Sequence, residues 1–321
     1  MRTRYGKIDV ANTHPFAAPT LGSRTSPYLQ EKLVLLGATQ VFHEVPNLVE
    51  SLLGISVSES QVYRCVQAVS KKIEDPYLPS VHLQQIQTQP DTSVYGMMDG
   101  SFLFTDDGWK EVKVGRVFTA TPTTSAASKW NMGQSEYVAQ RGHYENFTEK
   151  FETLLPPESK CKKVFITDGA CWITNWLTKV YPDSIQILDF FHVCEKLATI
   201  PHLVACKKGW FERHKALLLA GESAIICSSI KQMKRFDGQT ELLNYLEKNT
   251  FRMRYNDYRE KGLMISSGPI ESSHRTVLQV RMKRSGQRWS ETGCDSMVRL
   301  RVAYKSGKAS LIINALTKQV E

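Results

Sequence analysis

The chain has 321 residues, 41% hydrophobic and 23% charged, enough apolar material for a core; this excludes disorder as its main state. Forty-one Lys and Arg against 32 Asp and Glu give a formal charge of +9, which excludes an acidic solvating protein and favours nucleic acid or another anionic partner. No apolar run reaches the roughly eighteen residues of a membrane span, the first thirty residues lack the apolar stretch of a secretory signal, and seven scattered cysteines without a C-x-x-C pair fit reduced thiols of a cytoplasmic protein better than disulfides or a zinc ribbon.

Residues 1–27, rich in Pro, Thr, Ser and Gly, form a lead-in. From Pro27 the spacing is helical. Val45, Leu48, Val49, Leu52 and Leu53 make one amphipathic face that Gly54 ends. Ser58-x-x-Gln61 has the form of a capping box, and the helix it opens buries Val62, Cys65 or Val66, and Val69 while Gln61 and Arg64 face outward. The pair is either a helix-turn-helix or an ordinary helical hairpin, since the turn alone suits both. Pro76, Pro79 and Pro90 mark residues 75–92 as a linker. The period then changes to that of strands over Ser93–Asp99 and Ser101–Phe104, a hairpin turn at Thr105-Asp106-Asp107-Gly108, and a return strand over Trp109–Phe118. Further strands are expected at Glu136–Gln140, Val164–Thr167 and Ile185–Leu188. Helices are expected at Tyr144–Leu155, Gly169–Val180, from Phe190, and at Pro269–Met282. The stretch from Pro201 to Lys261 is helical throughout. This is a mixed α/β chain divided at 1–90 (lead-in and helical DNA-binding segment), 91–196 (first part of the core), 197–262 (all-helical insertion) and 263–321 (last core helix and basic C-terminal region).

Three acids stand out by position. Asp99 and Asp168 each close an apolar strand and precede a glycine, and Glu271 lies in the first turn of the helix opened by Ser267-Gly268-Pro269-Ile270. Carboxylates crowded at strand ends repel one another unless they hold divalent cations, and hard oxygen donors suit Mg2+ or Mn2+. Taken singly, each acid fits a turn or a cap better than a metal site. Asp189 and His192, three apart at a helix start, share one face and suit a cap, a metal or a phosphate. Glu271, His274 and Arg275 likewise project together. The last fifty residues carry ten basic side chains against three acids, an excess of seven. Within them Arg281-Met282-Lys283-Arg284-Ser285-Gly286-Gln287-Arg288-Trp289 has the density of cations and the aromatic of a surface that tracks phosphates and stacks on bases.

With YGMMDGS, FITDGACWI and LDFFHVCEKL in the core and SSGPIESSHR, RMKRSGQRWS and MVRLR near the end, residues 90–301 resemble bacterial insertion-sequence transposases of the DDE type. The similar group has an RNase H-like core with a D-x-x-H element, as Mutator-like enzymes do. The resemblance implies an RNase H-like mixed sheet flanked by helices and a catalytic, metal-holding triad of Asp99, Asp168 and Glu271 for two Mg2+ ions, with Mn2+ able to substitute. Asp189, His192 and His274 would be auxiliary. Double-stranded DNA would be contacted by Arg275, Arg281, Lys283, Arg284, Arg288 and Trp289, and by Gln61 and Arg64 of the N-terminal segment. The enzyme would act on element ends and target DNA as a homodimer or larger complex at the nucleoid. A cysteine-rich zinc segment found near the N-terminus of many relatives has no counterpart here. The same residues also fit a structure-specific nuclease that cuts without joining, or a silent DNA-binding relative.

Overall fold

The computed structural model describes residues 2–3, 6–7, 25–73, 92–123, 130–156, 161–200 and 207–317. Within the lead-in, β1 (Arg2–Thr3) pairs antiparallel with β2 (Gly6–Lys7). The expected linker lies almost wholly outside the described residues.

Five strands form the central sheet: β3 (Ser93–Thr105), β4 (Gly108–Pro122), β5 (Trp130–Arg141), β6 (Lys162–Thr167) and β7 (Ile185–Leu188), in the order β5-β4-β3-β6-β7. The first three run as an antiparallel meander, while β6 pairs parallel with β3 and β7 parallel with β6. Together with flanking helices this is the mixed sheet expected of an RNase H-like core. The two apolar runs read separately on either side of Gly100 are one continuous strand. Its hairpin closes at Thr105 opposite Gly108, where φ is 89°, a left-handed conformation that favours glycine, and the Thr105 hydroxyl donates to the Gly108 carbonyl at 2.8 Å. On one face, Gly96 and Gly115 let aromatic rings press on the strands. A Cβ at Gly96 would stand 2.6 Å from Phe165, and one at Gly115 2.5 Å from Phe151.

Helices α4 (Tyr144–Glu152), α5 (Cys171–Val180) and α6 (Phe190–Ala198) follow their strands as the periodicity predicts. The insertion is α7 (Lys207–Leu219), α8 (Ser223–Lys231), α9 (Gln239–Asn249) and α10 (Tyr255–Glu260). It docks on the free edge of the sheet through tyrosines: the hydroxyls of Tyr255 and Tyr258 donate to the Leu188 and Gln186 carbonyls of β7 at 2.9 and 3.3 Å. An edge strand whose carbonyls are capped this way is closed to further pairing.

The last core helix is composite: α11 (Gly268–Ser273), a π-helical turn (His274–Gln279) and α12 (Val280–Met282). Two more helices follow, α13 (Glu291–Lys305) and α14 (Ala309–Thr317). At the other end of the chain α1 (Pro27–Thr39) and α3 (Glu59–Lys72) pack on α13 and α14, and α2 (Val45–Leu53) packs on α1 and α3. Gly54 ends α2 in the left-handed conformation at φ 64°, and the Ser58 hydroxyl caps Gln61 at 3.2 Å. The second half of the expected capping box, a bond from the Ser58 amide to the Gln61 side-chain oxygen, does not form: the Gln61 side chain turns to Thr25, whose hydroxyl accepts from Gln61 Nε2 at 2.9 Å. In α3, Val62, Cys65, Val66 and Val69 are buried as expected. In α2 only Val45 and Val49 are; Leu48, Leu52 and Leu53 are exposed, because a nine-residue helix set against α1 and α3 covers one narrow stripe of itself. Among the described residues no helix is long and apolar enough to cross a membrane.

Candidate active site

The parallel pairing sets the geometry. Met97 of β3 lies opposite Ile166 of β6 in the last pair of the parallel ladder, and Asp99 and Asp168 each stand two residues beyond it. Asp168 follows the end of β6. Asp99, expected to close a strand, lies instead in the middle of β3, which runs on to Thr105 because its pairing with β4 continues past Gly100. Thr167 lies opposite Leu188, which brings Asp189 level with Asp168 on the next strand. Each aspartate first satisfies its own turn: Asp99 Oδ1 accepts from the Gly100 amide at 2.7 Å, and Asp168 Oδ1 accepts from the Ala170 amide at 2.9 Å. Both keep a second oxygen.

That second oxygen of Asp99 meets His274. Nε2 of the buried imidazole stands 3.2 Å from Asp99 Oδ2, close enough for charge pairing although the ring does not point its N–H along the line of a hydrogen bond. Burial raises the Asp99 carboxyl, but His274, the Gly100 amide and the more distant His192 outweigh it and hold the group below the usual aspartate value. Asp99 is therefore an anion at neutral pH. His274 begins the π-helical turn, a local widening that recurs at functional sites. Glu271, one helical turn before it, is exposed, and its Oε1 lies 3.4 Å from the Ser267 hydroxyl. The Arg116 guanidinium of β4, stacked on Phe118 and Tyr137, donates to the Pro269 carbonyl at 3.2 Å and fixes the start of this helix over the sheet.

Asp189 differs from the other acids. It is buried, and its carboxylate accepts four hydrogen bonds: from the Phe191 amide (3.3 Å), the His192 amide (3.0 Å), and the Ser267 amide and hydroxyl (both 2.9 Å). It caps α6 and pins the segment that leads into Glu271. Those bonds occupy both oxygens, which suits a positioning residue rather than a ligand. His192 is half-buried on the first turn of α6, 3.8 Å from Glu195, and its ring centre is 6.3 Å from that of Tyr245.

Tyr245 and Ser267 were not singled out in the sequence. Tyr245 comes from the insertion, and its hydroxyl donates to the Asp168 carbonyl at 2.8 Å. Burial, with Asp168 and Asp189 nearby, pushes its phenol far above the ordinary value, so it stays a neutral donor. A lone tyrosine in a helical stretch gives no sequence signal of this. Among the described residues no three His, Cys, Asp or Glu side chains stand together in the geometry of a metal site. The three acids are thus two aspartates, each two residues beyond the last pair of the β3–β6 ladder, and a glutamate on the facing helix, and not a closed cage.

The basic segment divides in two, with a correction to the sequence reading. Arg281 and Trp289 belong to the core and not to a DNA-facing surface. Arg281 is 0% exposed, its Nε donates to the Gly37 carbonyl at 2.9 Å, and it lies over the rings of Phe42 and Trp289. Burial, then Arg301 and Arg284, lower it to about 10. Trp289 is 6% exposed, and its indole donates to the Met282 carbonyl at 3.1 Å. It cannot stack on a base without leaving that pocket. Arg275, Lys283, Arg284 and Arg288 are exposed. Of these, Lys283 reaches the Ser101 hydroxyl at 3.2 Å, two residues along β3 from Asp99, and Arg288 pairs with Asp106 at 2.8 Å. In the N-terminal helices Arg64 is exposed and Gln61 half-buried.

The sequence profile of UPF0236, an uncharacterised protein family, matches residues 123–316. The chain belongs to this family. The UPF0236 match takes in Asp168, Asp189, His192, Glu271 and His274 and begins beyond Asp99. A UPF0236 protein from the vanSb 3′ region of Streptococcus gallolyticus is 20% identical over 296 residues, 88% of this chain and 64% of that protein, so the chain spans a little under two thirds of the relative's length. Among solved structures, LC9-RNase H1, a type 1 RNase H with the type 2 active-site motif, is 15% identical at a TM-score of 0.22, over 61% of this chain and 88% of its own. NurA is 15% identical at a TM-score of 0.12, over 82% of this chain and 65% of its own. These superpositions are loose, and the statement of fold rests on the strand order itself.

Proposed function

We propose that this chain is a DNA transposase of the DDE type, cutting DNA at element ends and joining the freed ends to a target. The observation that supports this reading is the placement of Asp99, within β3, and Asp168, just past the end of β6, each two residues beyond the last pair of the parallel β3–β6 ladder, with the helix that carries Glu271 and His274 facing Asp99. Two aspartates each keeping a second carboxyl oxygen, with an exposed glutamate on the helix that faces Asp99, are donors that suit hard divalent ions. Asp99, Asp168 and Glu271 are the residues that would hold two Mg2+ ions, or Mn2+ in their place. Bound there, such a pair supplies activation of the attacking oxygen and stabilisation of the leaving oxygen in an in-line phosphoryl transfer. In that scheme His274 keeps Asp99 ionised, Asp189 and Ser267 set the position of the Glu271 helix, Tyr245 fixes the turn of Asp168, and Lys283 lies near enough to Asp99 to neutralise a phosphate beside the scissile one.

The deciding experiment supplies a pre-nicked duplex with a free 3′-OH, target DNA and Mg2+. A transposase yields joined products. Cutting without joining would instead support a structure-specific nuclease of the same fold, and neither cutting nor joining, with binding intact, a silent DNA-binding relative. The exposed cations carry a separate prediction. Duplex affinity falls steeply with salt, and Lys283→Gln or Arg284→Gln each reduces the log–log slope by about one unit. Filter-binding titrations over a salt series check this, and a flat response in the unaltered protein contradicts it.

A further inference from the structure

The tyrosines that fasten the insertion to β7 leave a recess beside them. Phe251, Arg254, Tyr258 and Lys261 follow one another at spacings of three, four and three, so they share one face of α10 and its flanks. That face looks onto Ile185 and Gln186 at the start of β7, and the two sides enclose a cavity of about 220 Å³. The Tyr258 hydroxyl, 3.3 Å from both the Gln186 and Phe251 carbonyls, fixes the helix against the strand there. From this point β7 runs toward Asp189, so the cavity lies at the end of the sheet opposite the candidate active site.

The charge around this cavity is of one sign. Arg254 and Lys261 are both exposed, and among the described residues neither forms an ion pair. No carboxylate lines the space; Asp183 and Asp257, each next in sequence to a lining residue, are not part of its walls. Arg252, 2% exposed and likewise without an ion pair among the described residues, lies 5.5 Å from the centre of the Phe251 ring. It is too deep to touch a ligand, but it backs the ring and adds to the positive field at the opening. Phe251 itself is 55% exposed, a large aromatic side chain left in water beside two unpaired cations. A flat apolar ring and two free cations at one opening are the complement of a phosphate joined to a planar base.

We propose that this recess binds a nucleotide, its phosphate held by Arg254 and Lys261 and its base laid on Phe251. The nucleotide is either free or one unit of a nucleic acid strand. All three side chains are open to solvent, so the ligand reaches them without any part of the core moving. The site is separate from Asp99, Asp168 and Glu271 and does not depend on the transposase reading.

The test is titration calorimetry of the full chain with a 5′-mononucleotide, with ribose 5-phosphate, which lacks the base, and with a short single-stranded oligonucleotide. Arg254→Gln and Lys261→Gln each weaken nucleotide binding roughly tenfold, the loss of one charge-assisted bond. Phe251→Ala also weakens it roughly tenfold and erases the advantage of the nucleotide over ribose 5-phosphate. The substituted side chains are exposed, and an unchanged melting temperature confirms that each variant is folded. No binding of mononucleotide or oligonucleotide, or binding that none of the three substitutions weakens, overturns the proposal. Losses in Arg254→Gln and Lys261→Gln with none in Phe251→Ala overturn it too, since they mark an anion site blind to the base. Oligonucleotide binding weakened by all three substitutions identifies a unit of a strand as the occupant. A mononucleotide that needs all three residues, while the oligonucleotide ignores them, identifies the free nucleotide.

Discussion

Asp99→Asn is expected to abolish Mg2+-dependent strand cleavage, by on the order of a thousandfold or more, about 4 kcal/mol of transition-state stabilisation. The replacement keeps the shape of the side chain and an oxygen for the Gly100 amide, so β3 and its pairing with β4 have no reason to change. What it removes is the negative charge, which His274 and the Gly100 amide hold in place against burial and which a divalent ion would need. Duplex affinity, carried by exposed cations elsewhere, should stay within about twofold, since the net contribution of exposed cations is set by phosphate contacts. Single-turnover nicking assays and anisotropy titrations on the same preparation separate the two. Cleavage retained in this variant would take Asp99 out of the catalytic set.

The largest expected loss of stability comes from Asp189→Ala. This buried carboxylate accepts from three amides and one hydroxyl, and truncation leaves those donors facing a cavity. A loss of about 3–5 kcal/mol is expected, read as a lowered midpoint in urea denaturation at unchanged slope. Asp189→Asn, which keeps one acceptor oxygen, should cost about 1–2 kcal/mol. The same change frees Ser267 and with it the segment that leads into Glu271, so activity should fall further than stability alone explains. A midpoint unchanged by Asp189→Ala would show that the cap is dispensable.

Much of the sheet was legible because its signals are local. Asp-Gly at 107–108 fixes a hairpin by itself, and Ile185–Leu188 is a short apolar run between turns whose bounds the structure repeats. The juxtaposition of Asp99 and Asp168 could be anticipated only as two acids that end strands, which holds for Asp168 and not for Asp99, because the register that brings them together is a property of the parallel ladder. The misreadings share one cause. Arg281 and Trp289 sit in a sequence stretch dense with cations, and charge density along a chain says nothing about which of its members face inward. Their burial is decided by Gly37, Phe42 and Met282, two of which lie more than two hundred residues away. Tyr245 was missed for the same reason, since its partner is a carbonyl on another strand end. The leucines of α2 form an apolar face by periodicity, which shows that a face is apolar but not that anything covers it.

The clasp between the two ends of the chain has a consequence for biosynthesis. Carbonyls at Gly37 and Ala38, near the end of the first helix, receive guanidinium groups that lie 244 and 263 positions downstream. While the ribosome is still at work those acceptors have only solvent to turn to, and the opening helices lack the layer they rest on. The N-terminal helices must wait for residues 281 and 301 to be made, so their layer is completed late and with high contact order. Nascent chains stalled before residue 301 should therefore present an unfinished N-terminal layer to chaperones and proteases.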